Sequence, residues 1–129
     1  MSQTLVPGIR LTTYKTVGES DTAAVLGSVL QDVFSTPAMV ALMIQTAMKA
    51  VEACLDEGEG TVGTEISVRH LKTTTVGKIV TCTATLQEVD GKRLLFHVEA
   101  SDDTGKIGEG HHERLIISNE KFMTKIKKS

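Results

Sequence analysis

Hydrophobic residues recur with two different periods along the chain. The change from one period to the other separates the predicted helix from the predicted strands. Residues 9–16 alternate polar with β-branched and aromatic side chains and predict a first strand. Residues 38–55 contain neither Gly nor Pro, and their apolar positions recur at three- and four-residue steps, which predicts a helix apolar around most of its circumference. After Gly60 the period becomes two, which predicts four more strands over residues 61–72, 78–89, 93–101 and 106–118.

Capping signals mark where the helices begin and end. The polar pair at residues 21–22 can cap a short helix over residues 23–30. Thr36 followed by Pro37 predicts the start of the long helix, with the Thr36 hydroxyl as N-cap, since Pro has no N–H to leave unpaired. Gly58 suits the left-handed residue at a helix C-terminus and predicts its end.

The strands around the Asp-Gly turn signal have a predictable register. A two-residue loop at Gly91 would mix apolar and polar faces of the two strands. A three-residue loop pairs Leu86 with Phe96 and Ala84 with Val98, which keeps the apolar faces together. We therefore predict the longer loop, with Gly91 in a left-handed bulge conformation.

Strict alternation in the strand after the long helix predicts its two faces. Gly63 lies on one face, where a glycine indicates close approach of the backbone to another group. The other face is predicted to be the core face and carries Val62, Thr64, Ile66, Val68 and His70.

One long helix followed by hairpin-linked strands predicts an α+β protein. Such strands pair antiparallel, and the helix must cover one face of their sheet. An antiparallel sheet wrapped around one long central helix describes a hotdog fold. Because the helix is too apolar for one small sheet to cover, we expect at least a homodimer; pairing of dimers into a tetramer stays open.

Composition narrows the class of protein. A chain of 129 residues is the size of one domain, and we take residues 1–129 as one unit with a flexible basic tail over 120–129. A net charge of −2 and 3% aromatic residues argue against a nucleic-acid partner. The longest apolar run, residues 38–44, is too short to span a membrane. Two cysteines and no signal-peptide pattern favour the cytoplasm.

Thr36 and His70 are the residues best suited to chemistry. A hydroxyl and free N–H groups at a helix start can serve as a cap, or can bind a polar substrate atom, or both. His70 shares its predicted face with apolar residues, so its imidazole needs a hydrogen-bonding partner or a cavity. It is therefore either a satisfied core histidine or a general acid/base.

The remaining histidines predict no metal site. His111 and His112 are adjacent on a strand and point to opposite faces, so they are poorly placed to bind one ion together. His97 is predicted to lie on the surface. Arg114 shares a face with His112, as a solvated salt-bridging residue or as an anchor for a carbonyl or phosphate oxygen.

Four motifs in this order resemble the fluoroacetyl-CoA thioesterase family of hotdog proteins. They are residues 35–43, residues 61–64 followed by His70, residues 89–94 and residues 110–114, and the similarity covers roughly residues 8–118. The resemblance implies a homodimer that hydrolyses acyl-CoA at a site between subunits, and no cofactor is expected.

The resemblance also implies site residues. In that family a threonine at the helix start, a glutamate eight residues later and a histidine on the following strand form the catalytic set. Thr36 matches the threonine and His70 the histidine. Gly63 matches the glycine that lines the acyl and CoA site, and Arg114 matches the arginine of the last strand.

The glutamate position is occupied by Ile44, and this departure leaves several functions open. Gln45 is adjacent, but its use would turn the side chain by about 100° around the helix. We expect an acyl-CoA thioesterase that uses Thr36 and His70. The alternatives are a hotdog protein that binds acyl-CoA or another small ligand with little turnover, and an enoyl-thioester hydratase. Ile44 makes the acyl pocket more apolar, but the acyl group itself is not determined.

Overall fold

The computed structural model describes residues 4–22 and 32–128, so the helix expected over 23–30 lies outside the described residues. Within them, all five predicted strands are present, and their ends agree with the prediction to within two residues. The elements are β1 (Arg10–Thr16), α1 (Thr36–Ala50), β2 (Glu59–His70), β3 (Ile79–Asp90), β4 (Arg93–Asp102), β5 (Gly105–Ser118) and α2 (Asn119–Lys128).

The strands form one antiparallel sheet in the order β1-β3-β4-β5-β2, and α1 packs across one of its faces. The predicted α+β class, with a long helix wrapped by an antiparallel sheet, is confirmed. The core between helix and sheet is almost entirely aliphatic. It is formed mainly by Met39, Leu42, Met43 and Ala47 of α1, by Val80, Cys82, Ala84 and Leu86 of β3, and by Leu94, Phe96, Val98 and Ala100 of β4.

The β3–β4 hairpin has the predicted register, with Leu86 opposite Phe96, but not the predicted loop. The turn has two residues, Gly91 and Lys92, and Gly91 has the expected left-handed conformation with φ of 60°. The extra residue is Gln87, which lies at a bulge within β3. The apolar faces therefore stay together because the strand, rather than the turn, absorbs the additional residue.

The face prediction for β2 is wrong in the first half of the strand. A bulge at Thr64 interrupts the pairing of β2 with β5 and reverses the alternation there. Gly63 and His70 both lie opposite β5 residues of the face that α1 covers. Val62 and Thr64 point to the other face. Without the bulge, two residues seven positions apart would face opposite sides of the sheet.

Helix α1 ends earlier than predicted, and the basic end of the chain is helical. Helix α1 ends at Ala50 and is followed by a single 3-10 turn, Glu52–Cys54. Gly58 does adopt a left-handed conformation, with φ of 81°, but in the turn before β2. The basic end, expected as a solvated tail, forms α2. In the described part of the chain, no helix is long and apolar enough to cross a bilayer.

Helix α1 is only partly covered by its own sheet. The residues that point into the core are buried, whereas three apolar residues at four-residue steps are half-buried. These three are Val40, Ile44 and Met48. They form a continuous apolar stripe along the helix, which we call the α1 stripe.

Candidate active site

At the start of α1, the residue that caps the helix is not the residue that offers a candidate catalytic hydroxyl. The Ser35 hydroxyl, not that of Thr36, is the N-cap: it accepts a hydrogen bond from the backbone N–H of Ala38 at 3.1 Å. The predicted cap was therefore wrong by one residue, because Ser35 has the extended backbone of an N-cap and Thr36 is already helical. The Thr36 side chain is left available for another partner.

That partner is His70, at the last position of β2. Thr36 Oγ1 lies 2.8 Å from His70 Nδ1 at the exposed end of the imidazole. His70 Nε2 is buried and has no hydrogen-bonding partner in the described residues. Burial lowers the pKa of His70, because desolvation disfavours the imidazolium. The imidazole is thus held neutral at physiological pH, as a base requires.

A second polar cluster lies on the face of the sheet that α1 covers, at the opposite end of β2 from His70. Arg114 and His112 are 3% and 2% exposed. Arg114 Nε donates to Thr61 Oγ1 and Nη2 to the Thr61 carbonyl, both at 2.8 Å. The His112 Nδ1 contact with the Glu65 carbonyl, at 2.8 Å, requires Nδ1 to carry the proton. His112 Nε2 can therefore accept from Arg114 Nη1 at 3.2 Å.

The Arg114 guanidinium has no carboxylate partner among the described residues. Burial lowers its pKa, as expected for a cation without a counter-charge. Burial also lowers the pKa of His112, an effect that its bond to Glu65 opposes and the nearby Arg114 charge reinforces. The interpretation of Arg114 as a solvated salt-bridging residue is therefore wrong. Its buried charge is compensated by neutral acceptors only among the described residues.

Gly63 covers this buried pair. A Cβ at Gly63 would lie 3.0 Å from His112 Cε1 and 3.3 Å from Arg114 Nη1, so a side chain would press on both. The backbone of Gly63 itself is exposed. We name Thr61, Gly63, His112 and Arg114 the arginine cluster.

The structure does not bring all the predicted site residues together within one chain. Gly63 and His70 are seven residues apart on one strand, which separates them by roughly 20 Å. Ile44 lies eight residues after Thr36, about 12 Å further along the helix axis, and is half-buried in the α1 stripe. The chain thus contains the Thr36–His70 pair and the arginine cluster as two separate sites.

The other two histidines lie on the sheet face away from α1. His111 is exposed and His112 is buried, so the predicted opposite orientation of the neighbours is confirmed. His97 lies opposite His111 on β4 and is partly exposed. The role of His112 as a buried acceptor was not predicted from the sequence. Its signal was the shared face with Arg114, two residues later.

A long helix wrapped by an antiparallel sheet defines the hotdog fold, and the solved structures to which this chain is similar include thioesterases of that fold. The chain belongs to the fluoroacetyl-CoA-specific thioesterase family, whose family model matches residues 17–120.

Individual relatives agree with this assignment. The fluoroacetyl-CoA thioesterase of Streptantibioticus cattleyicolor is 44% identical over 96 residues, which cover 74% of this chain and 69% of that protein. A solved structure of the fluoroacetyl-CoA thioesterase FlK superimposes with a TM-score of 0.91 at 37% identity, over 98% of both chains. A hot-dog-like protein from Thermanaerovibrio acidaminovorans has a TM-score of 0.89 at 29% identity, over 95% of this chain and 90% of that one. The predicted family and the hotdog fold are confirmed.

Proposed function

We propose that the protein hydrolyses an acyl-CoA thioester to the free acid and CoA at the Thr36–His70 pair. The observation that carries the proposal is the 2.8 Å contact between a threonine hydroxyl and a neutral imidazole at the N-terminus of α1. A hydroxyl within hydrogen-bonding distance of a base is the arrangement that activates oxygen for attack on an acyl group.

Each part of this pair has a task in the reaction. The positive end of the α1 dipole polarises the thioester oxygen and stabilises the charge that develops there. Water adds to the carbonyl carbon, and its proton passes to His70 Nδ1, directly or through the Thr36 hydroxyl. The C–S bond then breaks, and the departing CoA sulfur takes the proton. No cofactor is needed for this balance.

Because Ile44 occupies the glutamate position, the site differs from the catalytic set that the family resemblance implies. An aliphatic side chain supplies neither a nucleophile nor a base. Its place in the α1 stripe favours an acyl group with apolar surface over a small polar one. We therefore propose short to medium aliphatic acyl-CoA esters as substrates, hydrolysed more slowly than with a carboxylate present.

Thiol release from a panel of acyl-CoA esters tests the proposal. We expect steady release of CoA thiol that is faster with butyryl- or hexanoyl-CoA than with acetyl-CoA. Binding of these esters without thiol release would favour the non-catalytic alternative. Hydration of crotonyl-CoA without thiol release would favour a hydratase, although in the described residues no carboxylate contacts His70.

We further propose that the active site is completed by a second copy of the chain. The Thr36–His70 pair and the arginine cluster face the same side of the sheet but lie at opposite ends of β2. Strand β2 is an edge of the sheet, and an edge strand can pair with another copy of itself. The half-buried α1 stripe supplies the apolar surface that a homodimer would cover.

One register of the β2 edges satisfies both geometry and charge. In this register a two-fold axis passes through Ser67, and the bulged residue Thr64 is left out of the pairing. The partner subunit's Gly63 then lies opposite His70 on the helix side. The same register sets the partner's Glu65 opposite Arg69 on the other side, twice per dimer. Within its own chain Glu65 lies opposite Glu113, whose carboxylate is bound by Arg93, so Glu65 can pair with a cation from the partner.

Arg69→Glu is expected to weaken the dimer by about 10-fold or more, because two like-charge pairs replace two opposite-charge pairs across the interface. The dissociation constant from sedimentation equilibrium measures this. The double variant Glu65→Arg with Arg69→Glu should restore association. Arg10→Glu, an exposed site on the other edge strand, is the matched control and should have no effect. Failure of the double variant to restore the dimer would rule out this register.

Finally, we assign the protein to the cytoplasm. Cys54 and Cys82 are both free thiols, which is typical of a reducing compartment.

A further inference from the structure

The sheet face away from α1 carries a square of metal-ligating side chains that are distant in sequence. His97 lies opposite His111, and two residues further along the same strands Glu99 lies opposite Glu109. Opposite positions and alternate residues project from the same face of a sheet. Along β4 and β5 these four residues alternate with buried core residues. All four side chains therefore lie on the outer face of the sheet.

Three of the four already converge. One ligand atom from each of His97, Glu99 and Glu109 lies within 4.8 Å of the other two. Zinc bonds to nitrogen and oxygen are roughly 2.0–2.2 Å, which sets ligand atoms about 3.4 Å apart around a tetrahedral ion. The three side chains are partly exposed, so small rotations can close that gap. His111, whose ring centroid is 5.7 Å from that of His97, lies beside the three as a candidate fourth donor.

A cation already lies between the two carboxylates. Lys106 Nζ is 3.0 Å from Glu99 Oε1 and 2.7 Å from Glu109 Oε2. The Lys106 side chain is 41% exposed and can swing into solvent when another cation takes its place. Arg69, opposite Glu109 on β2, is the other positive charge near the square.

We propose that His97, Glu99 and Glu109, with His111 as fourth ligand, bind a divalent transition-metal ion of the zinc class in competition with the Lys106 ammonium. Imidazole together with carboxylate favours such ions over magnesium and calcium, which prefer oxygen ligands alone. The site joins β4 to β5 on the face opposite the Thr36–His70 pair. It is therefore separate from thioester hydrolysis, and the two proposals can fail independently.

Calorimetric titration of the full chain with Zn²⁺ tests this, in a Cys54→Ser background that removes the accessible thiol. We expect one ion per chain and binding about 10-fold or more weaker in His97→Gln, because a direct ligand is lost. Glu88→Gln, an exposed carboxylate on β3, is the matched control and should bind as the parent does. Mg²⁺ should not compete.

Lys106→Met provides the distinguishing measurement. Removal of the competing ammonium should tighten Zn²⁺ binding several-fold, whereas adventitious binding elsewhere on the surface would not respond. No Zn²⁺ binding by the parent, equal binding by His97→Gln and Glu88→Gln, or unchanged affinity in Lys106→Met would each overturn the proposal.

Discussion

His70→Ala is expected to lower kcat for thioester hydrolysis by about 10²–10⁴-fold, the usual contribution of one positioned acid/base. The same change should alter the melting temperature little. His70 is only half-buried, and its Nε2 is a buried polar atom without a partner in the described residues, so alanine removes a desolvation cost together with the packing. Thiol release and thermal unfolding of the same preparation separate these two effects.

The pH profile provides an independent check on His70. Burial lowers the pKa of the imidazole, so the basic form persists to lower pH than for a free histidine. Hydrolysis should therefore be constant around neutral pH and fall as the pH drops through a value below that of an ordinary histidine. His97→Ala, on the opposite face of the sheet, should keep both rate and profile. Full turnover in a folded His70→Ala protein would remove His70 from the mechanism.

Ile44→Glu is expected to raise thioester hydrolysis by about 10-fold or more, because it adds a positioned carboxylate that can act as a nucleophile or activate water. Ile44 is half-buried in the single chain, and in the proposed dimer it borders the substrate site, so the new carboxylate can contact the attacking water and remain ionised. It lies about 12 Å along the helix from Thr36, which is too far for direct contact with the pair. The carboxylate would therefore act on the substrate or its water rather than through His70.

Ile44→Gln is the matched control for this gain. It has nearly the shape of glutamate without the charge or basicity, so hydrolysis should stay at the parent level. A large fall in melting temperature for Ile44→Glu without faster thiol release would mean that position 44 is sealed packing. In that case a buried carboxylate costs stability, and this helix face takes no part in catalysis.

Local physics in the sequence was sufficient for the five strands and for part of their pairing. Strand and helix periods depend on neighbouring residues alone, so the bounds of β1 to β5 agreed closely with the structure. The β3–β4 register was also predictable, because only one pairing keeps Leu86 and Phe96 on the same buried face. That Thr36 and His70 act together was implied by the family resemblance rather than by local physics, and the structure joins them by a hydrogen bond.

The tertiary structure alone decided where the strands depart from regular alternation. The bulges at Gln87 and Thr64 have no sequence signal, since each arises where a strand must match the register of its neighbour. The bulge at Thr64 nevertheless determines that Gly63 and His70 share a face, and hence what a second copy can bring to the site. The burial of Arg114 and the proximity of His97 to Glu109 were likewise decided by the tertiary structure. Both depend on contacts between strands, which no period along a single strand encodes.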